Sequence, residues 1–134
     1  MDQNFTVMVV EDEDLLIEAI GKKLEQDQMT AILCRSGKEA LDYLNTHEQV
    51  PQAVWLDYYL KDTDGLALMT LLKQNPKWQN IPVVVVSNSA STLKVNNMLA
   101  LGAKKYLLKA EYRLEDIVTI IRELNQESNN HSNT

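Results

Sequence analysis

Val83-Val84-Val85-Val86-Ser87 is the stretch on which the fold turns. A half-buried strand alternates apolar and polar residues, whereas an unbroken β-branched run suits a strand covered on both faces, as in a parallel sheet. Outward from it, residues 93–101 carry helical spacing and stop at Gly102, a natural helix terminator. Residues 106–108 form a last strand, and Leu114, Ile117, Val118, Ile121 and Leu124 stripe a last helix. In the other direction, Leu66, Met69 and Leu72 stripe a helix preceded by the apolar run 53–56. Ser36-Gly37-Lys38-Glu39 has the spacing of a capping box ahead of Ala40, Leu41 and Leu44, and follows the run 31–34. The β-rich run Phe5–Val10 precedes Leu16, Ile20 and Leu24 at helical spacing. Five strands thus alternate with five helices, which predicts parallel pairing through right-handed crossovers: an α/β, doubly wound sheet with helices on both faces.

The 134 residues allow one domain, and 45% hydrophobic content supplies it with a core. A net charge of -6 is the wrong sign for a general nucleic-acid or membrane-surface binder. One cysteine, Cys34, excludes an internal disulfide framework and a cysteine-rich zinc site, and fits a reducing, cytoplasmic setting. The two histidines, His47 and His131, stand in polar stretches, which disfavours a hydrolase needing a histidine base. No apolar run reaches membrane-spanning length, and the N-terminus lacks the pattern of a signal peptide. Residues 126–134 are too polar to bury surface, so the domain is expected over 1–125 with a disordered polar tail after it.

The chemistry sits where the strands stop. Glu11-Asp12 follows the first strand and Asp57 the third. In an open parallel sheet, ligands bind beyond the carboxyl ends of the strands where strand order reverses. If the first and third strands are neighbours there, three carboxylates share one cleft and raise their own pKa values unless a cation neutralises them. Hard oxygen donors with room for water favour Mg²⁺. Ser87 ends the fourth strand and Lys109 follows the fifth. A hydroxyl and an ammonium beside a metal-bound carboxylate suit a phosphoryl group, with the carboxylate as nucleophile.

Together these positions resemble the receiver domain of two-component response regulators, over nearly the whole chain except the tail. The resemblance rests on Glu11-Asp12, on Asp57-Tyr58-Tyr59-Leu60-Lys61-Asp62-Thr63-Asp64-Gly65, on Ser87, and on Gly102-Ala103-Lys104-Lys105-Tyr106-Leu107-Leu108-Lys109. It implies a flavodoxin-like sheet of strand order 2-1-3-4-5 and a single-domain, chemotaxis-regulator-like phosphoprotein. Asp57 would accept a phosphoryl group as an aspartyl phosphate. Glu11, Asp12, Asp57 and the Tyr59 carbonyl would hold Mg²⁺, Ser87 and Lys109 would assist, and Ser87 with Tyr106 would form the switch. The implied partners are a sensor histidine kinase or a histidine phosphotransfer protein, and an effector on the face of the last two strands and helices.

Three residues depart from the family pattern. Lys61 and Ala110 replace prolines, and Asn88 replaces a small residue after the hydroxyl position. The family bond after the lysine is typically cis. Before alanine the cis form costs about 2.5–4 kcal/mol, so Lys109-Ala110 is expected to be trans with Lys109 still reaching the cleft.

Other readings attach to the same residues. Asp12-Glu13-Asp14 imitates the signature of haloacid-dehalogenase-like phosphatases, but Leu15 breaks that pattern and Asp57 would then have no role. A pseudo-receiver would need none of the five chemical groups. A flavin-binding protein would carry a Ser/Thr/Gly-rich loop after the first strand, and none is present. Asp64 reads as a helix N-cap, Cys34 as a small buried hydrophobe, and Trp78 as cover for the opposite end of the sheet.

Overall fold

The computed structural model describes residues 5–132, with side chains through residue 126. Five strands run β1 (Phe5–Val10), β2 (Met29–Cys34), β3 (Ala53–Asp57), β4 (Val83–Ser87) and β5 (Lys105–Leu108). Between and after them lie α1 (Asp14–Gln26), α2 (Gly37–Thr46), α3 (Gly65–Gln74), α4 (Thr92–Ala100) and α5 (Leu114–Ser132). The sheet is parallel throughout, in the order β2-β1-β3-β4-β5. The doubly wound arrangement expected from the alternation is the one observed.

Alternation of side chains along each strand builds two cores. Val7, Val9, Trp55, Val84 and Val86 pack with Ile17, Ile20 and Leu24 of α1 and with Ile117, Val118 and Ile121 of α5. Met8, Val10, Val54, Leu56, Val83 and Val85 face α2, α3 and α4. The valine run is therefore divided between the two cores, which is why no position in it could be polar. Trp78 lies between α3 and β4, away from the strand ends that carry the carboxylates, and is buried in the second of these cores. Among the described residues its Nε1 is the buried side-chain polar atom with no hydrogen-bond partner.

Local signals act much as read. Ser36 Oγ accepts the Glu39 amide at 3.0 Å, but the glutamate's own carboxylate takes the Arg35 amide at 2.8 Å, one residue ahead of the position a capping box uses. Asp64 caps α3 by accepting the Ala67 amide at 2.9 Å. Gly102 ends α4 at φ 109°, a conformation only glycine takes freely. In α4, Met98 is buried, whereas Leu93 and Leu99 are exposed. The apolar burial of α5 ends at Leu124, and its helical backbone continues into the polar segment as far as Ser132. No described helix is long and apolar enough to cross a membrane.

Candidate functional site

Strand register assembles the site. Val10 pairs with Leu56, so Glu11 and Asp57, the next residues, lie level at the carboxyl end of the sheet. Asp57 pairs with Val86, immediately before Ser87, and Ser87 pairs with Leu108, immediately before Lys109. Because β1 leads outward to β2 while β3 leads to β4, the cleft between them is the place where strand order reverses. One-residue slips anywhere in this ladder would turn these side chains to the other face.

Glu11, Asp12 and Asp57 offer carboxylate oxygens that all lie within 4.8 Å of one another. Glu11 and Asp57 are buried and Asp12 is half-buried. The Lys109 ammonium reaches both buried acids, donating to Glu11 Oε1 at 3.0 Å and to Asp57 Oδ2 at 3.4 Å. The second oxygen of Glu11 accepts the Glu13 amide at 3.0 Å, and Asp57 Oδ1 accepts the Tyr59 amide at 3.4 Å. Lys109 begins a short 3₁₀ turn, Lys109–Glu111, and no described peptide bond is cis. The lysine thus reaches the carboxylates through a trans Lys109-Ala110 bond, as expected from the alanine.

Three carboxylates face one ammonium, and the imbalance is visible in their acidity. Burial, then the charge of Glu11, pushes Asp57 up to about 7, although Lys109 works in the opposite direction. For Lys109, burial alone would lower the pKa. Its hydrogen bond to Glu11 and the charges of Asp57 and Glu11 outweigh that, holding the ammonium above the ordinary lysine value. A crowded set of hard oxygen donors, short of positive charge, fits a small divalent cation such as Mg²⁺.

Ser87 is fully buried, and its Oγ accepts the Ser89 amide at 3.4 Å. Tyr106, half-buried on β5, donates its hydroxyl proton to the Ser89 carbonyl at 2.8 Å. The loop after β4 therefore links the proposed hydroxyl and aromatic switch residues. Asn88 lines a cavity of about 250 Å³ with Glu13, Trp55, Lys109 and Tyr112, beside the carboxylates. Tyr59 is half exposed, and Lys94 of α4 stands over its ring at 4.5 Å and over that of Tyr58 at 5.4 Å. Asp14 is turned away from the cluster and pairs with Arg35 at 3.0 Å, so the dehalogenase-type acidic signature does not converge here.

The model of the response regulator receiver domain matches residues 7–122. The chain belongs to this family. It is 30% identical over 128 residues to the probable methanogenesis regulatory protein FilR2 of Methanothrix harundinacea, covering 91% of this chain and 82% of that one. It is also 31% identical over 116 residues to the signal transduction histidine-protein kinase BarA of Escherichia coli, a match that covers 84% of the receiver and 12% of BarA. Among solved structures, the receiver domain of the Francisella response regulator 1452 superposes with a TM-score of 0.82 at 25% identity, covering 93% of this chain and 99% of that domain. A CheY-like receiver from Methanospirillum hungatei has the same fold, with a TM-score of 0.85 at 19% identity over 96% and 99% of the two chains. Family and strand order agree with the resemblance carried by the sequence motifs.

Two features escaped the sequence reading. Lys94 stands in no motif, and its place over Tyr59 depends on how α4 packs. Asp62, at the tip of the loop after β3, accepts the Gly37 and Lys38 amides of α2 at 2.9 Å each. Nothing local to either segment announces that contact.

Proposed function

We propose that this receiver takes a phosphoryl group from a phosphohistidine donor onto Asp57. The observation that carries the reading is the junction of a buried aspartate with a lysine ammonium 3.4 Å away and a cluster of hard oxygen donors. An Asp57 carboxylate oxygen attacks phosphorus, the P–N bond to the donor histidine breaks, and its electron pair leaves on the imidazole nitrogen. Lys109 neutralises charge on the phosphoryl oxygens and Ser87 donates a hydrogen bond to one of them. Glu11, Asp12, Asp57 and the Tyr59 carbonyl are the groups that would hold Mg²⁺, which when bound shields the negative charge of both acid and donor. Hydrolysis of the acyl phosphate later restores the carboxylate.

The donor is a sensor histidine kinase or a histidine phosphotransfer protein, and the receiver acts as a cytoplasmic signalling module, not as an enzyme on a separate substrate. Drawing Ser87 toward a phosphoryl group disturbs the loop that also holds the Tyr106 hydroxyl. The response then spreads to the face of α4, β5 and α5, where the exposed Leu93 and Leu99 offer apolar contact to an effector protein. The test is mass spectrometry after incubation with Mg²⁺ and a small-molecule phosphodonor. Wild type is expected to gain one phosphoryl group and Asp57→Asn none. Equal labelling of the two proteins would refute the assignment.

A further inference from the structure

The loop that follows Asp57 is held at three levels. At its base the Gly65 amide donates to the Tyr58 carbonyl at 2.6 Å, and Tyr59 and Asp64 form an antiparallel bridge. Midway the Leu60 amide donates to the Thr63 carbonyl at 3.1 Å. At its tip both oxygens of Asp62 are spent on another element: Oδ1 accepts the Gly37 amide and Oδ2 the Lys38 amide, each at 2.9 Å. Those are the first two amides of α2, which its own helix cannot satisfy, and Ser36 supplies the third. Two charge-assisted bonds from one carboxylate fix orientation as well as distance.

Steric fit at this contact is close. A Cβ added to Gly37 would lie 2.5 Å from Thr63 Cγ2, so a larger residue at position 37 would force the Thr63 side chain or the loop to shift. The three prolines of the chain, Pro51, Pro76 and Pro82, all lie outside residues 58–64. Order in this loop therefore comes from hydrogen bonds and from the Gly37–Thr63 contact, with no ring to restrict φ. The same loop carries Tyr59, whose amide donates to Asp57 Oδ1.

We propose that Asp62 and Gly37 form a latch between the active-site loop and the first turn of α2, and that this latch sets the affinity of the carboxylate cluster for a divalent cation. Asp62 is a positioning residue: it lies outside the carboxylate cluster and acts by holding the Tyr59 backbone beside Asp57. The amides of Gly37 and Lys38 also keep the Asp62 carboxyl below the usual carboxylate range, so the latch stays closed at neutral pH. The inference rests on the reading of Glu11, Asp12 and Asp57 as a cation site.

Magnesium titration by calorimetry, with Mg²⁺ alone as the probe, and hydrogen exchange of the Gly37 and Lys38 amides test it together. In wild type both amides are expected to be protected, and in Asp62→Ala to exchange freely. Asp62→Ala and Gly37→Ala should each weaken Mg²⁺ binding about fivefold to thirtyfold, the factor for leaving one residue's backbone to be ordered on binding. The double variant should be no weaker than either single one, because each change opens the same latch. Asp62→Asn, which keeps one acceptor oxygen, should fall between wild type and Asp62→Ala. Asp42→Asn removes the same charge from α2 without touching the loop, and should stay within about twofold of wild type after the Debye screening of 0.15 M salt. Unaltered binding by Gly37→Ala, additive losses in the double variant, or unprotected amides in wild type would overturn the latch while leaving the cation site intact. Failure of wild type itself to bind Mg²⁺ would overturn the latch and the cation site together.

Discussion

Replacing Asp57 by asparagine should make the metal-free protein more stable, and the amount should depend on pH. Folding buries this carboxyl beside Glu11 and raises its pKa from 3.8 to about 7. A raised carboxylate pKa means that the native state favours the protonated form. Wild type is therefore free of the penalty below about pH 4, loses stability as pH climbs from there to about 7, and carries the full penalty at pH 8. At about 1.36 kcal/mol per pKa unit, the upper bound is roughly 4 kcal/mol. Relaxation and solvent reaching the mouth of the cleft reduce this to about 2 kcal/mol. Asparagine is neutral throughout and keeps an oxygen that can accept from Lys109. The assay is urea denaturation of both proteins in EDTA at pH 4.5, 6 and 8. Asp57→Asn is expected to exceed wild type by about 1 kcal/mol at the lowest pH and by about 2 kcal/mol at the highest, the latter equivalent to roughly 6–10 °C in Tm. Added Mg²⁺ should narrow the gap at pH 8, since a cation at ten times its Kd stabilises wild type by about 1.4 kcal/mol. A variant less stable than wild type at pH 8 in EDTA, or a gap that does not change with pH, would refute this account of the cluster's electrostatics.

Lys109→Met leaves Glu11 and Asp57 buried without their ammonium. Denaturation at pH 8 without metal should show a loss of about 2–4 kcal/mol, and phosphodonor labelling should slow sharply. Ser87→Ala should cost under about 1 kcal/mol, because its only described hydrogen bond, from the Ser89 amide, is long at 3.4 Å. The same variant should nevertheless suppress the amide NMR shifts at Tyr106 when a phosphoryl mimic is added. Gly102→Ala forces a side chain into φ 109° and brings its Cβ to 3.0 Å from Lys73 Cε, so calorimetry should register a loss of about 1–3 kcal/mol with Mg²⁺ binding unchanged.

The parts of this molecule that could be read in advance are those for which sequence and burial are locally coupled. Val83–Ser87 has to be apolar because its two faces serve two different cores, and the run shows it. Glu11, Asp57, Ser87 and Lys109 end or follow strands, so placing the strands in a parallel sheet places them at one edge. Asp64 and Ser36 cap helices that begin within three residues of them. The contacts that could not be read join segments whose separation in sequence says nothing of their approach. Asp62 and Gly37 are 25 residues apart and meet because α2 and the loop after β3 reach the same end of the sheet. Lys94, on α4, meets Tyr59 from 35 residues further along the chain. The shift of Glu39 from the Ser36 amide to that of Arg35 turns on the angle at which the chain enters α2, which a four-residue pattern does not encode.

The path to Lys109 shows how a departure from a family pattern can leave the chemistry in place. A lysine–proline bond in the cis form would fix the turn covalently; here alanine follows, and the chain instead curls through one 3₁₀ turn at Lys109–Glu111. What directs the ammonium is then its environment. On one side lie Glu11 and Asp57, at 3.0 and 3.4 Å; beside the long side chain lies a cavity bordered by Trp55, Val86 and Tyr112. Withdrawing the lysine would leave two buried carboxylates facing each other, at a cost larger than the entropy of holding one lysine side chain, about 2 kcal/mol. Electrostatics therefore does at Lys109 what a covalent restraint would do, and the same exchange is made in the loop after β3, where Lys61 stands in the proline position and Asp62 supplies hydrogen bonds instead. Restraints of this kind depend on ionised groups. Amide exchange at Gly37 and Lys38, relative to the intrinsic rates, should therefore stay slow as pH falls to about 4 and accelerate only below it, because these two amides hold the Asp62 carboxyl below the usual carboxylate range. Exchange that accelerated already between pH 6 and 4, or protection that held steady well below pH 4, would mean that the Asp62 carboxylate is not what orders the loop after β3.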